Sequence, residues 1–158
     1  MCYMLLIGTD SPEELSVHND RLVSFSRELP GLPEESLLTL PYKWYLGSVH
    51  GCSCGFRHLC TESVSLGFGE PEDWYPEEPE NIEATLKVIA IIRTLVGQGA
   101  NVECIDAWCH TRDSPRVTTT IDVNLAGVAD GAFRFFEDHR FVFTADPNQL
   151  RRPTAGEK

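Results

Sequence analysis

Hydrophobic positions along the chain fall mostly into short runs, and short runs bounded by turn residues predict strands. Cys2 to Gly8 is apolar without alternation, which predicts a strand buried on both faces. Ser11-Pro-Glu-Glu14 carries helix-start signals: a capping hydroxyl, Pro at the first position, and Glu three residues after the cap. Beyond it, Leu15, His18, Leu22, Phe25 and Leu29 have helical spacing, while Val23, Phe25 and Leu29 also suit a strand. The reading is one helical turn, a break near Asn19-Asp20, and a strand over about 22–28. Pro30-Gly-Leu-Pro33 is a turn, Glu34 to Leu40 a short helical piece ended by Pro41, and Lys43 to Val49 the next strand.

Ile82 to Val96 has the only long helical pattern. Ile82, Leu86, Val88, Ile89, Ile91, Ile92, Leu95 and Val96 make it apolar nearly all round, so it should lie against a sheet and be covered further. Gly97 and Gly99 stop it. Two strands follow, Asn101–Cys109 and Val117–Leu125, then a short helix over 130–137 and a last strand, Arg140–Thr144. The pattern predicts an α+β fold: one domain over 1–150, built on a mainly antiparallel sheet of about five or six strands with the long buried helix on one face. Residues 151–158 read as a flexible C-terminal tail.

Alternation also predicts a register. Val117, Thr119, Ile121, Val123 and Leu125 form an apolar row, which Ile105, Ala107 and Cys109 match. If these two strands pair antiparallel, odd residues face odd ones, because a one-residue slip buries the wrong side. Cys104, Asp106 and Trp108 then share a face with Asp122.

Composition adds exclusions. A chain of 158 residues can bury a core without disulfide staples. A net charge of -11 argues against nucleic acid, which needs a basic face to displace counterions, and gives no attraction to an anionic membrane. No apolar run approaches the roughly 18 residues of a membrane span, and the N-terminus lacks the basic region of a secretory signal. The expectation is a cytoplasmic protein whose six cysteines are reduced, serving as core fillers, metal ligands or redox groups. The proline-broken acidic stretch 67–80 reads as a solvated loop whose last carboxylates suit a helix N-terminus. Its Trp74 and Tyr75 make it an alternative contact surface for a partner.

The chemistry concentrates between residues 50 and 60. His50, Cys52, Cys54, His58 and Cys60 fall within eleven residues, with Gly51 and Gly55 beside the paired thiols. Residues two apart in an extended segment point the same way, and flanking glycines let the backbone curl so that two sulfurs converge. Thiolate and imidazole select zinc or copper(I). These five residues are the predicted metal ligands, with Cys2 and Cys104 as further candidates. The Cys-x-Cys spacing is tighter than the Cys-x2-4-Cys of structural zinc sites. A metal-free alternative uses Cys52 and Cys54 as redox or nucleophilic thiols, with His50 or Arg57 lowering a thiol pKa. Cys2 offers another: exposed by removal of Met1, it would be a thiol with its own amine as base. The Met-Cys opening resembles that of class II glutamine amidotransferases, although Tyr3-Met4-Leu5 departs from their Gly-Ile-x-Gly pattern. There is no Gly-x-Ser-x-Gly elbow and no Gly-x4-Gly-Lys loop, so no nucleotide cofactor is implied.

Met1-Cys2, the Leu-x-Ile-type strand after it, and Tyr45-x-Gly47-Ser48-x-x-Gly51-Cys52-x-Cys54-Gly55-Phe56 together resemble a group of small bacterial proteins of unknown activity. In that group a Gly-Cys-x-Cys-Gly-Phe segment follows a Tyr-rich strand. The resemblance implies a site at Cys52 and Cys54, with Cys2 a further candidate, and implies no reaction. His58 and Cys60 fall outside the motif.

Overall fold

The computed structural model describes residues 2–59, 77–109, 113–117, 119–127 and 129–145. Cys60, the acidic 67–76 stretch with Trp74 and Tyr75, and the 151–158 tail lie outside the described residues. Among the described residues, eight strands and one long helix follow in chain order: β1 (Tyr3–Thr9), β2 (Val23–Ser26), β3 (Tyr42–Ser48), β4 (His58–Leu59), α1 (Pro79–Gly97), β5 (Val102–Trp108), β6 (Thr119–Asn124), β7 (Phe135–Phe136) and β8 (His139–Thr144). Six form one sheet in the order β2-β3-β1-β5-β8-β6, and β4 and β7 form a small parallel pair. All pairings in the main sheet are antiparallel except β6 with β8. This is the expected α+β architecture.

Strand β1 is central, with β3 and β5 on either side. That position explains its unbroken apolar run: Leu5 and Ile7 enter the core under α1, and Leu6 enters a second core on the opposite face. Helix α1 buries Val88, Ile89, Ile92 and Leu95 against the first face. The second face is covered by Leu32 and Leu38, the residues that flank the 3-10 turn Pro33–Leu37. Helix α1 ends at Gly97, and Gly99 takes a φ of 93°, a left-handed conformation that stops propagation. The 11–20 segment contains one 3-10 turn, Leu15–His18, where a helical turn was expected.

Three expectations are corrected. The strands around Cys104 and Ile121 do not pair: β8 lies between them, antiparallel to β5 and parallel to β6. One row across the sheet runs Ile7, Cys104, Phe141, Ile121, and the next runs Gly8, Glu103, Val142, Asp122. Even residues of β5 thus share a face with odd residues of β6, and Cys104 and Asp106 lie on the opposite side from Asp122. Alternation identifies which residues share a face on each strand but not which strand is the neighbour, and Phe141 and Phe143 make β8 an equally apolar partner. The 130–137 region is a 3-10 turn, Asp130–Ala132, followed by β7 rather than a helix. Glu77 is not a solvated loop carboxylate. It is 9% exposed and ion-paired to Arg57 (2.8 Å) and Arg134 (3.1 Å), themselves almost fully buried.

Candidate functional site

β1 and β3 pair only as far as Leu5 and Leu46; beyond that point β3 pairs with β2 and β1 with β5. The chain after β3 turns back into the fork between them. Ser53, fully buried, takes the Leu5 N–H on its Oγ (2.7 Å) and donates to the Leu46 carbonyl (2.6 Å). One hydroxyl thereby satisfies two strand groups that would otherwise be buried without partners.

The turn itself is closed by Ser48. Its N–H and its hydroxyl both donate to the Cys52 carbonyl, and its Oγ accepts the Gly55 N–H at 3.0 Å. Gly51 has a φ of 79°, which a side chain resists. At Gly55 a Cβ would lie 2.6 Å from Ser48 Oγ, so only hydrogen fits. Tyr45 caps the turn from outside by donating its phenol to the Gly51 carbonyl at 2.8 Å.

This wedge carries Cys52 and Cys54 to the start of β1, where the Cys2 carbonyl is held by the Cys109 N–H at 2.8 Å. The sulfurs of Cys2, Cys52 and Cys54 all lie within 4.8 Å of one another, and all three residues are partly buried free thiols. Among the described residues this is the one group of His, Cys, Asp or Glu side chains close enough together to hold a metal ion.

Electrostatics divide the three. Burial opposes ionisation of Cys52, but the Cys54 N–H and the Cys54 and Cys2 thiols hydrogen-bond to its sulfur and bring its pKa below the ordinary thiol value. Cys54 is pushed up to about 12, first by burial and then by its hydrogen bond to Cys52 and the negative charge there. The cluster thus accommodates one negative charge readily and resists a second. Ionising Cys54 beside a Cys52 thiolate calls for a cation next to them.

Behind the turn sits His58, its side chain 4% exposed. Its Nε2 faces the Ser53 carbonyl at 2.6 Å and its Nδ1 faces Asp106 Oδ2 at 2.8 Å. The ring stacks on Tyr3 at 3.9 Å with an interplanar angle of 6°. Asp106 is fully buried, and its Oδ1 has no hydrogen-bond partner among the described residues. Burial raises the Asp106 pKa and the Asp138 charge adds to this, with the His58 contact opposing both.

The predicted ligands separate accordingly. Cys52 and Cys54 come together, and the further candidate Cys2 completes the trio. His50 is exposed at the tip of the turn and lies outside the 4.8 Å group. Both nitrogens of His58 are occupied by protein oxygens. Cys60 lies outside the described residues. Cys104 is buried under α1, where desolvation and then the Asp106 and Glu103 charges raise its thiol pKa well above normal. Ser53, Tyr3 and the pairing of His58 with Asp106 had no signal in the sequence, since each depends on contacts between distant segments. No protein-family model, curated protein or solved structure matches the chain. Among the described residues no helix is long and apolar enough to cross a membrane.

Proposed function

We propose that this protein binds one thiophilic d10 metal ion, copper(I) or zinc, through Cys2, Cys52 and Cys54. The observation that carries the reading is the approach of three sulfurs, from residues 50 positions apart in the chain, to within 4.8 Å. With metal–sulfur bonds of about 2.3 Å, tetrahedral or trigonal coordination sets sulfur pairs about 3.8–4.0 Å apart, so closure needs a contraction of about 1 Å at most. Three thiolates match trigonal copper(I) as they stand. For zinc they form an open site whose fourth position takes water or an incoming ligand, as suits metal transfer or catalysis rather than a closed structural site. The charge pattern agrees: the thiolate favoured at Cys52 starts binding, and the cation offsets the cost of ionising Cys54.

A second reading has its own support. The lowered Cys52 pKa, with two thiols in reach, also describes a metal-free redox centre in which the Cys52 thiolate attacks a substrate disulfide, releasing one substrate thiolate, and Cys54 or Cys2 resolves the mixed disulfide, releasing the other. Metal and thiol analysis of anaerobically purified protein separates the two. The expected result is about one copper or zinc per chain, lost on Cys52→Ser/Cys54→Ser and on Cys2→Ser. Protein that binds neither ion on reconstitution, with all six thiols titrating as free, sinks the metal reading and leaves the redox one.

A further inference from the structure

The His58–Asp106 pair is buried where two apolar side chains would pack without desolvating anything. Such pairs are costly, and apolar replacement is often neutral or stabilising. This one faces the three-thiol turn. A backbone carbonyl can only accept a hydrogen bond, so the 2.6 Å contact with Ser53 places a proton on His58 Nε2. The 2.8 Å contact with Asp106 holds a second proton between Nδ1 and Oδ2, which fixes the ring's orientation together with the stack on Tyr3.

The Ser53 carbonyl belongs to the peptide group that leads into Cys54, one residue after Cys52, so the His58 contact holds the peptide between the two thiol-bearing residues. A hydrogen bond accepted by the oxygen of an amide polarises the whole peptide group, its N–H included. The contacts therefore form a line, Asp106 carboxyl to His58 imidazole to the Ser53–Cys54 peptide, which lies between Cys52 and Cys54 in the chain. We propose that His58, oriented by Asp106, is a positioning residue of the three-thiol site, setting the placement of the Cys52 and Cys54 sulfurs through the Ser53–Cys54 peptide without touching the bound ion. This inference rests on the metal-binding reading for its effect on affinity, and on hydrogen-bond geometry alone for the relay itself. Outer hydrogen-bond partners of metal ligands commonly contribute about 10–100-fold in affinity.

The test uses the full chain and cobalt(II), whose thiolate charge-transfer band reports sulfur donation. His58→Phe/Asp106→Leu replaces the pair with apolar groups and keeps a ring against Tyr3. His58→Gln keeps an N–H donor for the Ser53 carbonyl. The double variant is expected to stay folded, bind cobalt(II) about 10–100-fold more weakly and shift the charge-transfer band. His58→Gln is expected to restore most of the affinity. In metal-free protein, the Cys54 amide proton resonance should move upfield in the double variant and return in His58→Gln. A double variant that unfolds assigns the pair to the core and overturns the proposal. Unchanged affinity, band and Cys54 resonance overturn it equally. Wild-type protein that takes up neither cobalt(II), zinc nor copper(I) sinks the metal-binding reading instead, and the Cys54 resonance then decides the relay by itself.

Discussion

Ser53 shows how much can rest on one small side chain. Its hydroxyl bridges Leu5 and Leu46, and its carbonyl receives His58, so it joins β1, β3 and the thiol turn at one point. Ser53→Ala strips the partners from two buried backbone groups, and each orphaned group costs about 1–3 kcal/mol. Urea denaturation should register a loss of that order, while a loss below about 0.5 kcal/mol, the range of ordinary surface substitutions, would show that water substitutes for the hydroxyl. Glu77 is the second such residue, one carboxylate between two buried guanidiniums. Burial opposes its ionised form, but hydrogen bonds from Arg57 and Arg134 prevail and hold its pKa below 4.5. A carboxyl depressed on folding contributes stability above its unfolded pKa and loses it as pH falls through the folded value. Stability should therefore decline on acidification below about pH 4.5. Glu77→Gln should cost about 3–5 kcal/mol at neutral pH and flatten that acid limb, which denaturation at several pH values would measure.

Helix α1 and the central strands carry the stability that the thiol turn draws on. The helix was legible because its apolar residues extend almost all round, and the structure uses that excess: Val88 and Ile92 face the sheet while Ile91 and Val96 are covered as well. Ile92→Ala removes a side chain that is 1% exposed and should cost about 2–5 kcal/mol by thermal or chemical denaturation. Metal uptake by the fraction that stays folded should persist, because none of the three thiols lies on α1. The sheet was legible only in part. Strand positions emerged from the apolar runs, whereas the insertion of β8 between β5 and β6 did not, since every strand there offers an equally apolar row.

Taken together, the fold separates a large apolar core from a small polar site at one end of the sheet. The core under α1 includes Leu5, Trp44, Leu46, Val88, Ile92, Phe135 and Phe141, none of which belongs to the thiol group. Metal-free protein should accordingly remain folded, unlike zinc fingers, whose folding free energy is their metal binding. Adding the ion should still raise the melting temperature through linkage, by about 2.7 kcal/mol of stability at a hundredfold excess over Kd. Circular dichroism melts with and without metal would check both points. A chelated protein without secondary structure would contradict the first, and a metal-induced shift that survives in Cys52→Ser/Cys54→Ser would contradict the second.

Local chemistry explains what could be read from the amino-acid order. An unbroken apolar run marks β1, an all-round apolar helix marks α1, and Gly-Cys-Ser-Cys-Gly marks a turn that brings two sulfurs to one side. These are short-range properties of a chain, governed by periodicity and backbone freedom. The third sulfur is different. Cys2 reaches Cys52 and Cys54 because β1 and β3 part after Leu5 and Leu46 and a serine hydroxyl wedges the turn into the gap. His58 reads in the sequence as a free ligand, yet the fold assigns its two nitrogens to Asp106 and Ser53, 48 and 5 positions away. Spacing cannot foretell such partners. Long-range hydrogen bonds form wherever folding leaves a buried donor beside a buried acceptor, and that meeting is set by strand order rather than by neighbours in the chain.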